Sequence, residues 1–209
     1  MRRWLWAPMM TLCLLLAGCG GEREDAADLR APYRTMEGCS IEAVVTCTQE
    51  NQIWEASMKC DYVPEGESTV EVTAPETIAG VKAVITEEDW SLVYEDVCLN
   101  AGTLSQEAVS PAVCLPRLMS ALREGWLLEE NTEDWEDIAC QRLTLDQTGS
   151  GGGKIVSDIC LRQDTGTPAR GEISVDGEII LTAEFTSFSF CDIINETGTE
   201  QAGLPREST

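Results

Sequence analysis

"SIEAVVTCTQENQIWEASMKCDYV", residues 40–63, carries two runs of alternating apolar and polar side chains on either side of Gln49-Glu50-Asn51-Gln52. A period of two is the signature of a half-buried strand, and a short polar segment between two such runs makes a hairpin. Residues 40–48 and 53–63 are therefore expected to pair. Upstream the period is helical: residues 27–36 can form a short helix carrying Leu29, Tyr33 and Met36, and Gly38 ends it. Downstream, strands are expected at 69–73, 81–86, 91–99, 139–147, 154–163, 169–175 and 178–190. Glu87-Glu88-Asp89 makes an acidic turn, and Asp176-Gly177 is a tight turn of the kind that needs positive φ. The order describes an antiparallel meander.

One sizeable interruption is helical. Pro116 suits the first turn of a helix and Gly125 its end, with Leu118, Met119, Leu122 and Trp126 along one face. A shorter helix is expected at 105–109. Helices inserted into a long meander require the sheet to curl and let them cover its concave side. The expected fold is mainly β (α+β): a half-open, curled antiparallel sheet, an incomplete barrel, covered by a few helices.

The front of the chain is organised differently. Arg2 and Arg3 precede residues 4–17, apolar apart from Thr11, and then Gly18 and Cys19. That order is a secretory signal, with an apolar run shorter than the ~20 residues a spanning helix needs. Leu16-Ala17-Gly18-Cys19 resembles the lipobox of bacterial lipoproteins, which implies cleavage before a lipidated Cys19; residues 1–18 are then expected to be the signal peptide, 19–28 a polar lipidated tether, 29–194 the folded domain, and 195–209 a polar, disordered tail. The alternative is an ordinary secreted chain in which Cys19 has no such role. Acyl chains such as palmitate on Cys19 each bury at roughly 0.8 kcal/mol per methylene, and two or three hold a protein on a membrane. The expected location is the outer side of the cell membrane, lipid-anchored.

Charge and composition exclude several functions. Loss of Arg2 and Arg3 takes the 14 basic side chains to 12, against 37 acids, a formal charge of −25. Such a surface repels nucleic acid. There is no histidine, which removes the commonest general base, the Ser-His and Cys-His pairs and the commonest metal ligand. Acid pairs such as Glu129-Glu130 read as solvated turns, and no catalytic constellation, metal site or cofactor site is expected. "GSGGGK", 149–154, lacks the glycine and the Ser or Thr a phosphate loop needs and reads as a hairpin loop. "NET", 195–197, matches a glycosylation acceptor that a bacterial lipoprotein would seldom use.

Of ten cysteines, Cys13 leaves with the signal and Cys19 is the lipid site. Eight remain, widely spaced and without Cys-x-x-Cys, which argues against zinc or iron–sulfur binding. They are either disulfides of an exported domain or small buried hydrophobes. Cys39 and Cys60, at facing ends of the hairpin, are the candidate pair.

The layout resembles the LolA/LolB-like lipoprotein carriers and their RseB- and GerS-related members. The likeness rests on the helix "LRAPYRTMEG", the strand pair from Ser40, "VEVTAPETIAGVKAVI", "DWSLVYEDV", the helix "LPRLMSALREG" and "GTPARGEISVDGEIILTAEFTSF". The residues Leu16-Ala17-Gly18-Cys19 resemble the lipobox of bacterial lipoproteins. The resemblance implies an apolar concavity that accepts an acyl chain or another elongated hydrophobic ligand. Here Leu118, Met119, Leu122 and Trp126 from the lid, with Trp54, Phe185 and Phe188 from the sheet, are expected to line it. The function expected is non-enzymatic binding. The alternative is a GerS-like lipoprotein that acts on an envelope protein partner, in spore-cortex modification or germination. A hydrolase using paired acids is a third reading.

Overall fold

The computed structural model describes residues 28–49, 52–86, 89–103, 109–149 and 153–191. The expected signal, lipobox, tail, 105–109 helix (as far as 108) and most of the glycine loop lie outside them. Among the described residues, eleven strands form one antiparallel sheet: β1 (Cys39–Gln49), β2 (Gln52–Tyr62), β3 (Ser68–Ala74), β4 (Lys82–Ile85), β5 (Asp89–Tyr94), β6 (Val97–Thr103), β7 (Trp126–Trp135), β8 (Ile138–Asp146), β9 (Ile155–Arg162), β10 (Pro168–Val175) and β11 (Glu178–Phe190). Two short helices accompany them, α1 (Ala31–Thr35) and α2 (Cys114–Glu124), the latter entered through a 3₁₀ turn at Pro111–Val113. No described helix is long and apolar enough to cross a membrane.

The strand order is β6-β5-β4-β3-β2-β1-β11-β10-β9-β8-β7. It is two meanders joined where the first strand pairs with the last. β6 and β7 are opposite edges that do not pair, so the sheet is not closed. The connection between them carries α2 across the inner face.

The opening hairpin forms as its alternation predicts. Ile41, Ala43 and Val45 of β1 face Cys60, Met58 and Ala56 of β2, all buried. On the outer side Glu42 faces Lys59, with their charged atoms 2.8 Å apart. β1 then places the same inner row against Phe188, Phe185 and Ala183 of β11, across a bulge at Glu42/Ala43. Asp176 (φ 51°) and Gly177 (φ 88°) make the left-handed turn expected before β11, and Glu136 (φ 46°) and Asp137 (φ 68°) make another between β7 and β8.

Helix α2 touches β2, β8, β9 and β10 together. Five strand spacings separate β2 from β8, about 24 Å on a flat sheet, whereas an eleven-residue helix is about 16 Å long. The sheet wraps the helix. Its close approach depends on Gly171 of β10, where an added Cβ would lie 2.8 Å from Leu118 Cδ1. Helix α1 completes the cover: Tyr33 is fully buried, donates to the Gly166 carbonyl at 2.7 Å, and its ring meets Phe188 at a tilt and Phe190 edge-on.

Three expectations need correction. Residues 91–99 are not one strand: Glu95 (φ 51°) turns the chain, so β5 and β6 form a hairpin. Residues 126–135 form β7, which the sequence reading missed, and Glu129-Glu130 lie within that strand rather than in a turn. Trp126 is not on the helix: Gly125 N–H donates to the Ala121 carbonyl and closes α2 one residue earlier, so Trp126 opens β7.

Candidate functional site

The residues expected to line an apolar hollow separate into two groups. Leu118 is 1% exposed, Met119 and Leu122 are fully buried and Phe185 is nearly so, while Trp54 and Phe188 pack half-buried against the same core. A side chain bordering a space that admits water would retain accessible surface. The lid residues border none, so the region under α2 is filled by the protein's own side chains. Trp126, 76% exposed, stands apart at the sheet edge.

Open space lies instead on the other side of α2. In a helix of 3.6 residues per turn, Leu115, Leu118, Met119 and Leu122 point to the sheet, whereas Pro116, Arg117, Ser120, Arg123 and Glu124 fall on an adjoining arc. That arc walls a cleft of about 470 Å³. The facing wall is Tyr62, Val63, Ser68, Ile85, Thr86 and Val113, with the Glu65-Gly66 turn at one side and Asp146, Gln147 and Thr148 at the end of β8.

The β2–β3 turn is braced from inside: Ser68 Oγ accepts from Val63 N–H at 3.0 Å and donates to the Val63 carbonyl at 3.3 Å. From this turn Glu65, at φ 57°, receives a hydrogen bond from Arg123 Nη2 at 2.5 Å, and Glu124 lies 3.4 Å from Arg123 Nε. Burial pushes the Tyr62 hydroxyl up to about 12, with Arg123 pulling the other way. Burial also holds the Arg117 guanidinium below its ordinary value. At the far end, Gln147 Nε2 donates to the Arg117 carbonyl at 3.1 Å and its Oε1 accepts from Ser157 Oγ at 2.7 Å. Hydrogen bonds from Thr148, the backbone one 2.7 Å long, hold the Asp146 carboxyl below the usual range. The walls are thus half apolar and half polar.

The thiols supply no nucleophile in the core. Burial pushes Cys39 and Cys114 up to about 12, and holds Cys60 well above the usual thiol range. Cys39 faces Tyr62 and Cys60 faces Ile41, so the candidate pair is one diagonal step out of register, and both are free. Alternation along β8 and β9 turns Cys140 and Cys160 to the outer face, where they pack with Ala169, Trp135 and Ile138. Among the described residues no group of three or more Cys, Asp or Glu side chains could hold a metal ion.

Sequence reading found α2 and its inner stripe but not the cleft beside it. The available signal was the placement of two of the chain's eleven arginines, Arg117 and Arg123, on the polar arc of that one helix.

No family model matches the chain, and no curated protein matches its sequence. Among solved structures it is similar to the LolA superfamily protein NE2245 from Nitrosomonas europaea, at 11% identity over 79% of this chain and 91% of that one, TM-score 0.46. It is also similar to a DUF1329 family protein from Desulfovibrio piger (14%, 84% and 93%, 0.44) and to the lipoprotein LppX of Mycobacterium tuberculosis (14%, 77% and 94%, 0.39).

Proposed function

We propose that this chain is a non-catalytic binding protein, held on the outer side of a membrane through lipid on Cys19, that takes an elongated, largely apolar ligand such as an acyl chain. The observation that carries the reading is the cleft of about 470 Å³ along α2, within the roughly 300–1,000 Å³ of small-molecule sites. The apolar side chains of Tyr62, Val63, Ile85, Val113 and Pro116 supply the surface that would exchange water for hydrocarbon, at roughly 25 cal/mol per Å². The site is moved from the core side of α2, where Leu118, Met119 and Leu122 are sealed, to its flank.

The test uses a Cys19→Ser chain, so that no attached acyl group confuses the readout. Native mass spectrometry and organic extraction should recover acyl species from it, and Ser120→Trp, which fills the cleft from its helical wall, should remove them while leaving the unfolding temperature within a few degrees. An empty Cys19→Ser protein, or equal retention by the Trp variant, would defeat the reading. The tether has its own readout: the unsubstituted chain should fractionate with membranes and Cys19→Ser should not.

A second reading is favoured by one observation. The edge strands expose Val97 and Leu99 on β6 and Trp126, Leu127 and Leu128 on β7, and an unpaired apolar edge is a template for another chain. An envelope protein partner would dock there, and Trp126→Lys would lose it in cross-linking while keeping any cleft ligand.

A further inference from the structure

We infer that the free edge of β7 receives an extended, basic segment of a protein partner, which joins the sheet as an added strand. The inference rests on the edge-docking reading above and names both the edge and the chemistry of the partner. Among the described residues β7 ends the strand order and pairs with β8 alone. Every second residue of an antiparallel edge strand turns its N–H and C=O outward, where an incoming strand can meet them. Edges are commonly kept short, yet β7 runs for ten residues, longer than β8, β9 and β10 at nine, eight and eight. Its first three residues, Trp126, Leu127 and Leu128, are all exposed and would be covered by such a strand.

Charge decides the occupant. Of residues 126–137, six are acids (Glu129, Glu130, Glu133, Asp134, Glu136 and Asp137) and none is a base, against 37 acids in the 209 residues of the chain. All six but Glu133 are exposed. Within β7 they form two adjacent pairs four residues apart, and each pair puts one carboxylate on each face of the sheet. Glu129 and Glu133 lie opposite Thr144 and the outer-face Cys140, Glu130 and Asp134 opposite the core residue Leu143 and Ala139. Of the six, Glu133 alone has a described cation within 4 Å, Arg142 at 3.6 Å. Glu129 and Glu130 accept from the side-chain amides of Asn131 and Gln141, which leaves their charge in place. A second β7 brought to this edge would set carboxylate against carboxylate, so the acids keep copies of the chain apart. Anionic lipid is repelled by the same side chains. A strand with two basic pairs at the same spacing meets an opposite charge at each position instead, and opposite charges across a strand pair stabilise it. The other edge, β6, carries no charged residue from Val97 to Thr103 and makes no such selection.

Peptides titrated into the Cys19→Ser chain test this, with affinity read by fluorescence anisotropy and the docking place by amide hydrogen exchange. The first probe carries two lysine pairs four residues apart in a threonine background, with two valines at one end, made with the valines at either end so that both strand directions are sampled. The second replaces lysine by glutamate, and the third has the same composition with its four lysines in one run. The paired-lysine peptide should slow exchange along residues 126–135 and not along β6, and bind roughly tenfold or more tightly than the glutamate peptide. It should also bind better than the single-run peptide. Methylating the backbone nitrogen of every second residue, in two versions that cover the two alternate sets, should abolish binding in the version whose set faces β7 and spare the other. Attraction by charge alone would spare both. Glu129→Gln/Glu130→Gln/Asp134→Asn, all at exposed positions, should weaken the lysine peptide roughly tenfold with the unfolding temperature unchanged. Equal affinity for the lysine and glutamate peptides, or binding by both methylated versions, overturns the inference and leaves the edge-docking reading standing. Failure of every peptide to protect β7 overturns it as well, and the Trp126→Lys cross-linking then decides the edge-docking reading separately. Protection of β7 that grows with protein concentration in the absence of peptide would make a second copy the occupant and also overturn it.

Discussion

Arg30 joins the two helices, and its removal should be costly. The residue is 6% exposed and its guanidinium donates to three carbonyls at the end of α2: Leu122 at 2.5 Å, Ala121 at 3.1 Å and Gly125 at 2.6 Å. The last turn of any helix leaves carbonyls without partners and carries partial negative charge, so a buried cation there satisfies both. Arg30→Met keeps the apolar stem and deletes the donors. Each carbonyl left buried and unpaired costs roughly 1–3 kcal/mol; Ala121 retains the Gly125 N–H at 2.9 Å, so Leu122 and Gly125 dominate. Some of that loss is offset because a guanidinium no longer has to be desolvated. The expected net destabilisation is about 3 kcal/mol, or roughly 6–12 °C in unfolding temperature for a domain of this size. Urea and thermal unfolding by circular dichroism measure it, with Arg34→Met as control. Arg34 pairs with Asp28 at 3.1 Å where both side chains are half exposed, and such a pair contributes at most about 1 kcal/mol. If the two substitutions cost the same, or Arg30→Met costs under about 1 kcal/mol, the account of how α1 holds α2 is wrong.

Gly171→Ala should destabilise by about 1–3 kcal/mol, because its Cβ would press on Leu118 at 2.8 Å; adding Leu118→Ala should recover part of that loss, and strict additivity in a double-mutant cycle would contradict the contact. Stability should also fall as pH rises above about 9. The folded Cys114 thiol is pushed up to about 12 by burial, so the unfolded chain loses that proton first, and the stabilisation present below pH 9 disappears toward pH 12. In urea titrations between pH 9 and 11, Cys114→Ala should lower the slope of stability against pH by about 1.4 kcal/mol per unit, one proton's worth. Unchanged slopes would mean the thiol ionises equally in both states. Exposed Cys98 and Cys191 should react with a thiol reagent in the folded protein, and buried Cys39 and Cys114 only on unfolding; prompt labelling of Cys114 would contradict its burial.

Local period and turn chemistry made much of this fold legible in one dimension. The β1–β2 hairpin, the Asp176-Gly177 turn, Gly125 as the stop of α2 and the stripe Leu118-Met119-Leu122 all depend on residues within a few positions of one another. What failed was what lacks a burial signal. The stretch "WLLEENTEDW" forms β7 although nothing alternates in it, because an edge strand is wet on both faces and its sequence is free of the rule that marks central strands. Residues 91–99 kept their alternation through a turn that Glu95 makes without glycine.

The pairing of β1 with β11, some 140 residues apart, and the wrapping of the sheet about α2 belong to tertiary structure alone. So does the division of labour around that helix. Sequence showed that one of its faces is greasy, and a greasy face is equally suited to lining a hollow or filling one. Gly171 lets the sheet come close enough to fill it, which leaves the open space to the polar flank, where Arg117 and Arg123 gain a shared cleft only because the β2–β3 turn and the end of β8 fold up beside them.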